Sequence, residues 1–67
     1  MFKLPNENDF KNYKRVKIYL KNTSVAEVNG IVSTINQNDI SDELQVITSE
    51  EYFTCNLSNV TAISLKY

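Results

Sequence analysis

Histidine and tryptophan are missing from this 67-residue chain, and glycine, proline, cysteine and methionine occur once each. Each scarcity excludes something. Without histidine, proton transfer near neutral pH would fall to a carboxylate, a lysine or a thiol moved far from its ordinary pKa. Cys55 is the only thiol, so no disulfide forms within the chain, and no zinc tetrad can be assembled. No apolar run approaches the about 20 residues that cross a bilayer. The opening MFKLPNENDF holds no secretory core. The expectation is a soluble, cytoplasmic protein that is not an enzyme and carries neither cofactor nor metal.

What is present is a small domain, residues 1–67. A core of this size supplies a net of roughly 3–5 kcal/mol. Tight packing, or pairing of strand edges between copies, must add to it, so a homo-oligomer is expected. The nine asparagines, with abundant isoleucine and lysine, are typical of an AT-rich genome. A low-GC bacterium or one of its phages is the source that composition points to. Three N-x-[ST] triplets, at Asn22, Asn56 and Asn59, follow from that asparagine content.

The net charge is only −1, but it is unevenly spread. Residues 1–21 carry Lys3, Lys11, Lys14, Arg15, Lys17 and Lys21 against Glu7 and Asp9. Residues 22–67 carry Lys66 against Glu27, Asp39, Asp42, Glu43, Glu50 and Glu51. Such asymmetry marks a binding arm, or holds the two halves together.

Residues 1–15 read as an arm or short helix. In NENDFKNYKR, Asn6 or Asn8 can cap, acids come early, and Lys14 and Arg15 come late. The helix is too short to stand alone, so Phe10 and Tyr13 must dock on the rest. Residues 16–67 read as β structure. VKIYLK alternates Val16, Ile18 and Leu20 with Lys17, Tyr19 and Lys21, one face buried and one wet. In VAEVNGIVSTI the alternation breaks at Gly30. Glycine weakens a strand interior unless a bend or close approach needs it. Gly30 is therefore read as a corner, with the two halves of one strand serving different sheets. NQNDISDE is a polar loop with Ile40 tucked inward. LQVITS, EEYFTCNLS and NVTAISLKY complete the strands.

The fold expected is all-β: a five-stranded, strongly bent SH3-like or Sm-like small barrel with a short N-terminal helix or arm. The expected core is Val16, Ile18, Leu20, Val28, Val32, Ile35, Leu44, Val46, Phe53, Cys55, Leu57, Val60 and Ile63, with some of Ile31, Ile47 and Leu65.

VKIYLKN, VNGIVSTINQN and CNLSNVTAISL together resemble the Sm-like small barrels, through Gly30, Ile35 and Asn36 and a short apolar turn before the closing strand. The same skeleton resembles the C-terminal half of YolD-like proteins, with Gly30, Val32, Ile35 and Asn36, then Leu57, Asn59, Val60 and Ile63. The match covers residues from about 7 to 65. The Sm-like resemblance implies single-stranded RNA binding through Asn36 or Asn38. It also implies a basic pair late in the chain, where this sequence has Ser58–Asn59. Fold alone does not fix function.

Two surfaces follow from the residues. Tyr13, Lys14, Arg15, Lys17, Tyr19 and Lys21 interleave cations with aromatics, which suits phosphate contact and base stacking. Asp39, Asp42, Glu43, Glu50, Glu51 and Tyr52 form an acidic, partly aromatic surface suited to a protein partner. Adjacent Glu50 and Glu51 point apart on a strand and make no acid–base pair. Asp39, Asp42 and Glu43 lack the spacing of a calcium loop. Cys55 shares a face with Phe53 and Leu57 and reads as a small hydrophobe. The leading expectation is a non-enzymatic protein-binding module, regulatory or inhibitory. The alternative is an Sm-like or YolD-like protein that binds single-stranded nucleic acid.

Overall fold

The computed structural model describes residues 2–67; Met1, the first residue of the expected arm, lies outside them. The chain is mostly β. A 3-10 helix, η1 (Glu7–Asn12), precedes β1 (Arg15–Leu20), β2 (Val25–Asn29), β3 (Val32–Asn38), β4 (Glu43–Thr48) and β5 (Tyr52–Asn56). A second 3-10 turn, η2 (Leu57–Asn59), leads into β6 (Val60–Lys66). Two three-stranded antiparallel sheets result, in the orders β2-β1-β6 and β3-β4-β5.

Six strands stand where five were expected, because the bent strand is broken at its corner. β2 belongs to the first sheet and β3 to the second, with Gly30 and Ile31 between them. Gly30 has φ +111°. A Cβ there would lie 2.8 Å from Thr48 Oγ1, 2.9 Å from the Glu50 nitrogen and 3.0 Å from Ser49 Oγ. Both the backbone angle and the lack of space demand glycine.

Hydrogen bonds fix this corner from two sides. The Gly30 N–H donates to the Lys14 carbonyl, and the Val32 N–H to that of Tyr13, each at 3.0 Å. From the β4–β5 turn, the Ser49 N–H donates to the Ile31 carbonyl at 2.9 Å. Ser49 Oγ accepts the Ile31 N–H at 3.0 Å. The buried Thr48 hydroxyl donates to the Asn29 carbonyl at 2.6 Å and accepts the Glu51 N–H at 3.0 Å.

The core comprises Phe10, Val16, Ile18, Val28, Val32, Ile35, Leu44, Val46, Leu57 and Val60. Phe10 is held by η1, which Asn6 caps by accepting the Asn8 N–H. Leu20, Phe53, Cys55, Ile63 and Leu65 were expected inside and are half-buried. Ile31 turns outward at the corner, 49% exposed. Ile40 is corrected outright. It is fully exposed in the β3–β4 turn, which is held by the Asn38 side chain accepting the Ile40 and Ser41 N–H groups. No helix among the described residues is long and apolar enough to cross a membrane.

Candidate functional site

Antiparallel pairing sets directly opposed residues on the same face. In β1, Val16 and Ile18 point inward, while Arg15, Lys17 and Tyr19 point outward. β1 is the central strand of its sheet, so this outward row lies in the middle of a face. Arg15 is opposite Lys66 on β6. Lys17 is opposite Glu27 on β2 and Ser64 on β6. Arg15 Nε reaches Glu27 Oε1 at 3.5 Å, an exposed pair that contributes little to stability. The Tyr67 ring stacks on Tyr13, with centroids 4.9 Å apart and planes at 24°. The Tyr13 hydroxyl is held above its ordinary pKa by its hydrogen bond to Tyr67, then by desolvation and nearby negative charge. Lys14, Arg15 and Tyr67 share an open cleft with Gly30 and Glu50, of about 450 Å³.

Lys21 stands apart from this cluster. It lies past the far end of β1, where its charge helps lower the Asp42 pKa. The cluster gains Lys66 and Tyr67, which local reading left out. Only the β1–β6 register places them beside Arg15 and Tyr13.

The acidic residues fall into two groups. Asp39 and Asp42 lie in the β3–β4 turn and Glu43 begins β4, while Glu50, Glu51 and Tyr52 follow its end. The six residues of β4 separate them by about 17 Å. Most of these carboxylates have internal partners. Asp42 accepts the Ser58 N–H and the Ser58 hydroxyl, both at 2.7 Å, and the Asn56 amide at 3.2 Å. These bonds, led by the Ser58 hydroxyl, hold its carboxyl below the ordinary pKa. Glu43 accepts the Gln45 amide at 2.7 Å, and Glu51 accepts the Asn29 N–H at 2.7 Å. Glu50 lines the cleft that holds Lys14 and Arg15. Cationic and acidic residues thus meet at the corner rather than on separate faces. Among the described residues, no three His, Cys, Asp or Glu side chains gather as metal ligands.

The remaining surface of interest is apolar. β5 and β6 each lie at one edge of their sheets, bonded on one side, with β3 and β2 at the opposite edges. No backbone ladder joins them among the described residues. Phe53 and Cys55 oppose the buried Val46 and Leu44, and Ile63 and Leu65 oppose the buried Ile18 and Val16. All four face inward yet stay half-buried. Desolvation raises the Cys55 thiol pKa, and Asp42 adds to it, so the thiolate is disfavoured. Tyr52, 62% exposed, stands at the head of β5. Comparison with family models, curated proteins and solved structures finds no match.

Proposed function

We propose that this chain is a non-enzymatic protein-binding module that takes its partner at the open edges of β5 and β6. One observation carries the reading. Two strands adjacent in sequence each leave an edge unpaired, and their inward apolar side chains are only half covered. A partner strand added there would satisfy backbone groups and bury Phe53, Cys55, Ile63 and Leu65 further. The finer fold belongs to the same proposal: the two sheets close as an SH3-like barrel, in keeping with the Sm-like and YolD-like resemblance. A second copy is one partner such edges accept. A host enzyme or defence protein of a low-GC bacterium is the other, with the module acting as regulator or inhibitor. Hydrogen–deuterium exchange on the complex recovered from such a host tests the reading. Protection concentrated in residues 52–56 and 60–66 is expected; protection elsewhere with these strands unchanged refutes it. The same measurement on the chain alone, dilute and at tens of micromolar, reports self-association.

A second reading rests on the Tyr13–Tyr67 stack with Lys14, Arg15 and Lys66 beside it. Stacked rings flanked by cations suit single-stranded nucleic acid. A low-salt mobility shift of labelled RNA or DNA, abolished when Lys14, Arg15 and Lys17 become Glu, would establish it. No shift in low salt would remove it.

A further inference from the structure

Gln37 is a polar residue on the inward row of β3. Its register partner is the fully buried Leu44, which in turn opposes Cys55. A carboxamide pointed toward a core needs partners for both its ends. Both come from one residue of the N-terminal arm. Gln37 Oε1 accepts the Phe2 N–H at 2.7 Å, and Gln37 Nε2 donates to the Phe2 carbonyl at 3.0 Å. The side chain thereby imitates a strand neighbour, which exchanges both bonds with a single opposed residue.

The arm has the matching alternation. Phe2 and Leu4 are half-buried and pack against the core, while Lys3 is exposed. That is the period of two of an extended segment. Yet the arm belongs to no strand, and η1, which follows it, packs against β3. What this face of β3 holds is therefore a main chain and two apolar side chains two residues apart.

We propose that the surface around Gln37 covered by residues 2–4 is a binding site for an extended peptide segment with an aromatic and an aliphatic residue at positions i and i+2. The chain's own arm is its resident occupant, and a partner's segment of the same pattern displaces it. The class of ligand rests on the protein-binding reading, but the place does not involve the β5 or β6 edges. Failure at one therefore leaves the other standing.

The probe is the blocked synthetic peptide Met-Phe-Lys-Leu-Pro, titrated into full-length protein and followed by NMR. Three proteins are compared: the native chain, the Phe2→Ser/Leu4→Ser variant, and that variant with Gln37→Ala added. A tethered arm competes at an effective concentration in the millimolar range, so the double variant should bind about tenfold more tightly than the native chain. The largest shifts should fall on the Gln37 side-chain amide and on the Gln37 and Leu44 backbone. The triple variant should lose the binding. Equal binding by native and double variant, retention in the triple variant, or no binding to the double variant at about 1 mM peptide overturns the site. Should circular dichroism show the double variant unfolded, the native chain alone decides. Gln37 and Gln45 are its only glutamines. Gln45 is itself bonded to Glu43, so the reference is a glutamine in a short unstructured peptide: slower exchange of the Gln37 side-chain amide with water supports a held arm, and equal exchange refutes it.

Discussion

The Gly30 corner and the β5–β6 seam are opposite solutions to the same shortage of residues. At the corner, backbone and hydroxyl groups from β2, the β4–β5 turn and the segment before β1 converge within hydrogen-bonding distance. The N–H groups of Gly30, Ile31 and Val32 and the carbonyls of Asn29 and Ile31 all have partners, and there is no room for one more carbon. At the seam, two strand edges end without partners, and four apolar side chains remain half-covered. The corner converts one flat ribbon into two sheets. The seam is what remains unsealed after the ribbon runs out. Hydrogen bonds are concentrated where the chain turns, and half-covered apolar surface where it stops pairing.

The sharpest way to break this contrast is at residue 30. Gly30→Val forces a β-branched residue into positive φ and drives Cβ into Thr48, Ser49 and the Glu50 backbone. Strain and overpacking together should cost about 3 kcal/mol or more. That rivals the roughly 3–5 kcal/mol available to a domain of this size. The variant should be unfolded by circular dichroism at room temperature. A melting temperature equal to the native one would show that the corner does not hold the sheets.

Next in size is a paired measurement on the two sides of the core. Leu44 on β4 is fully buried, and Leu65 on β6 is half-buried at the seam. Leu44→Ala should destabilise by about 3 kcal/mol through lost contacts and a residual cavity. Leu65→Ala should remove roughly 1 kcal/mol in dilute solution, because solvent already reaches part of the side chain. Denaturant melts at two protein concentrations check both values. If Leu65→Ala matches Leu44→Ala only at the higher concentration, a second copy covers the seam.

The corner was legible from sequence because scarcity made it so. One glycine at a break in alternation has few explanations, and the two halves of the strand it bends joined different sheets, Val28 in one and Val32 and Ile35 in the other. The inner positions of β1, β3 and β4 were legible for the same reason: Val16, Ile18, Ile35, Leu44 and Val46 follow the period of two. What alternation could not give was depth. Phe53, Cys55, Ile63 and Leu65 carry the same pattern as Leu44, but how far each is covered depends on what residues distant in sequence pack over it. The same blindness split the candidate surfaces. Arg15 and Lys66 lie far apart in sequence and opposite one another in space, whereas Lys17 and Lys21 diverge. Gln37 reads as one more polar residue in NQN, and only the arm folding back reveals its inward aim. Ile40 reads as apolar and is held outside by its turn.

Asp42 tests how the seam is anchored at its polar end. It ties the β3–β4 turn to η2, the link between the two open strands. Its carboxyl is held below the ordinary pKa in the folded chain. A lowered folded pKa contributes stability above the unfolded value, and that contribution disappears as pH falls through the folded value. Asp42→Asn keeps a residue that tolerates φ 52° while removing the charge. Native and variant melting temperatures should therefore differ most near neutral pH, the native being higher. They should converge in acid, below the ordinary carboxylate range. A constant difference across that range would mean that the charge contributes nothing.

The smallest effect is expected at the β1–β2 turn, which shares Asp42's backbone region but not its chemistry. Thr23 has φ 68°, and Asp42 has φ 52°. Aspartate enters that region readily and here uses its side chain to hold η2. A β-branched threonine enters it against the clash of its own Cβ substituents. The position closes a three-residue loop, with the Thr23 N–H donating to the Leu20 carbonyl and the Leu20 N–H to that of Ser24, each at 3.0 Å. Loops of this form favour glycine or asparagine at the left-handed position. Thr23→Asn should therefore stabilise by about 1 kcal/mol, raising the melting temperature by roughly 4–8 °C in a domain this small. The loop sits beside the start of β6, with the Lys21 N–H donating to the Asn59 carbonyl at 2.9 Å, but Thr23 itself is exposed and belongs to neither sheet, so the gain should be the same at both protein concentrations. A gain that grows with concentration would instead place the turn in the surface where copies meet.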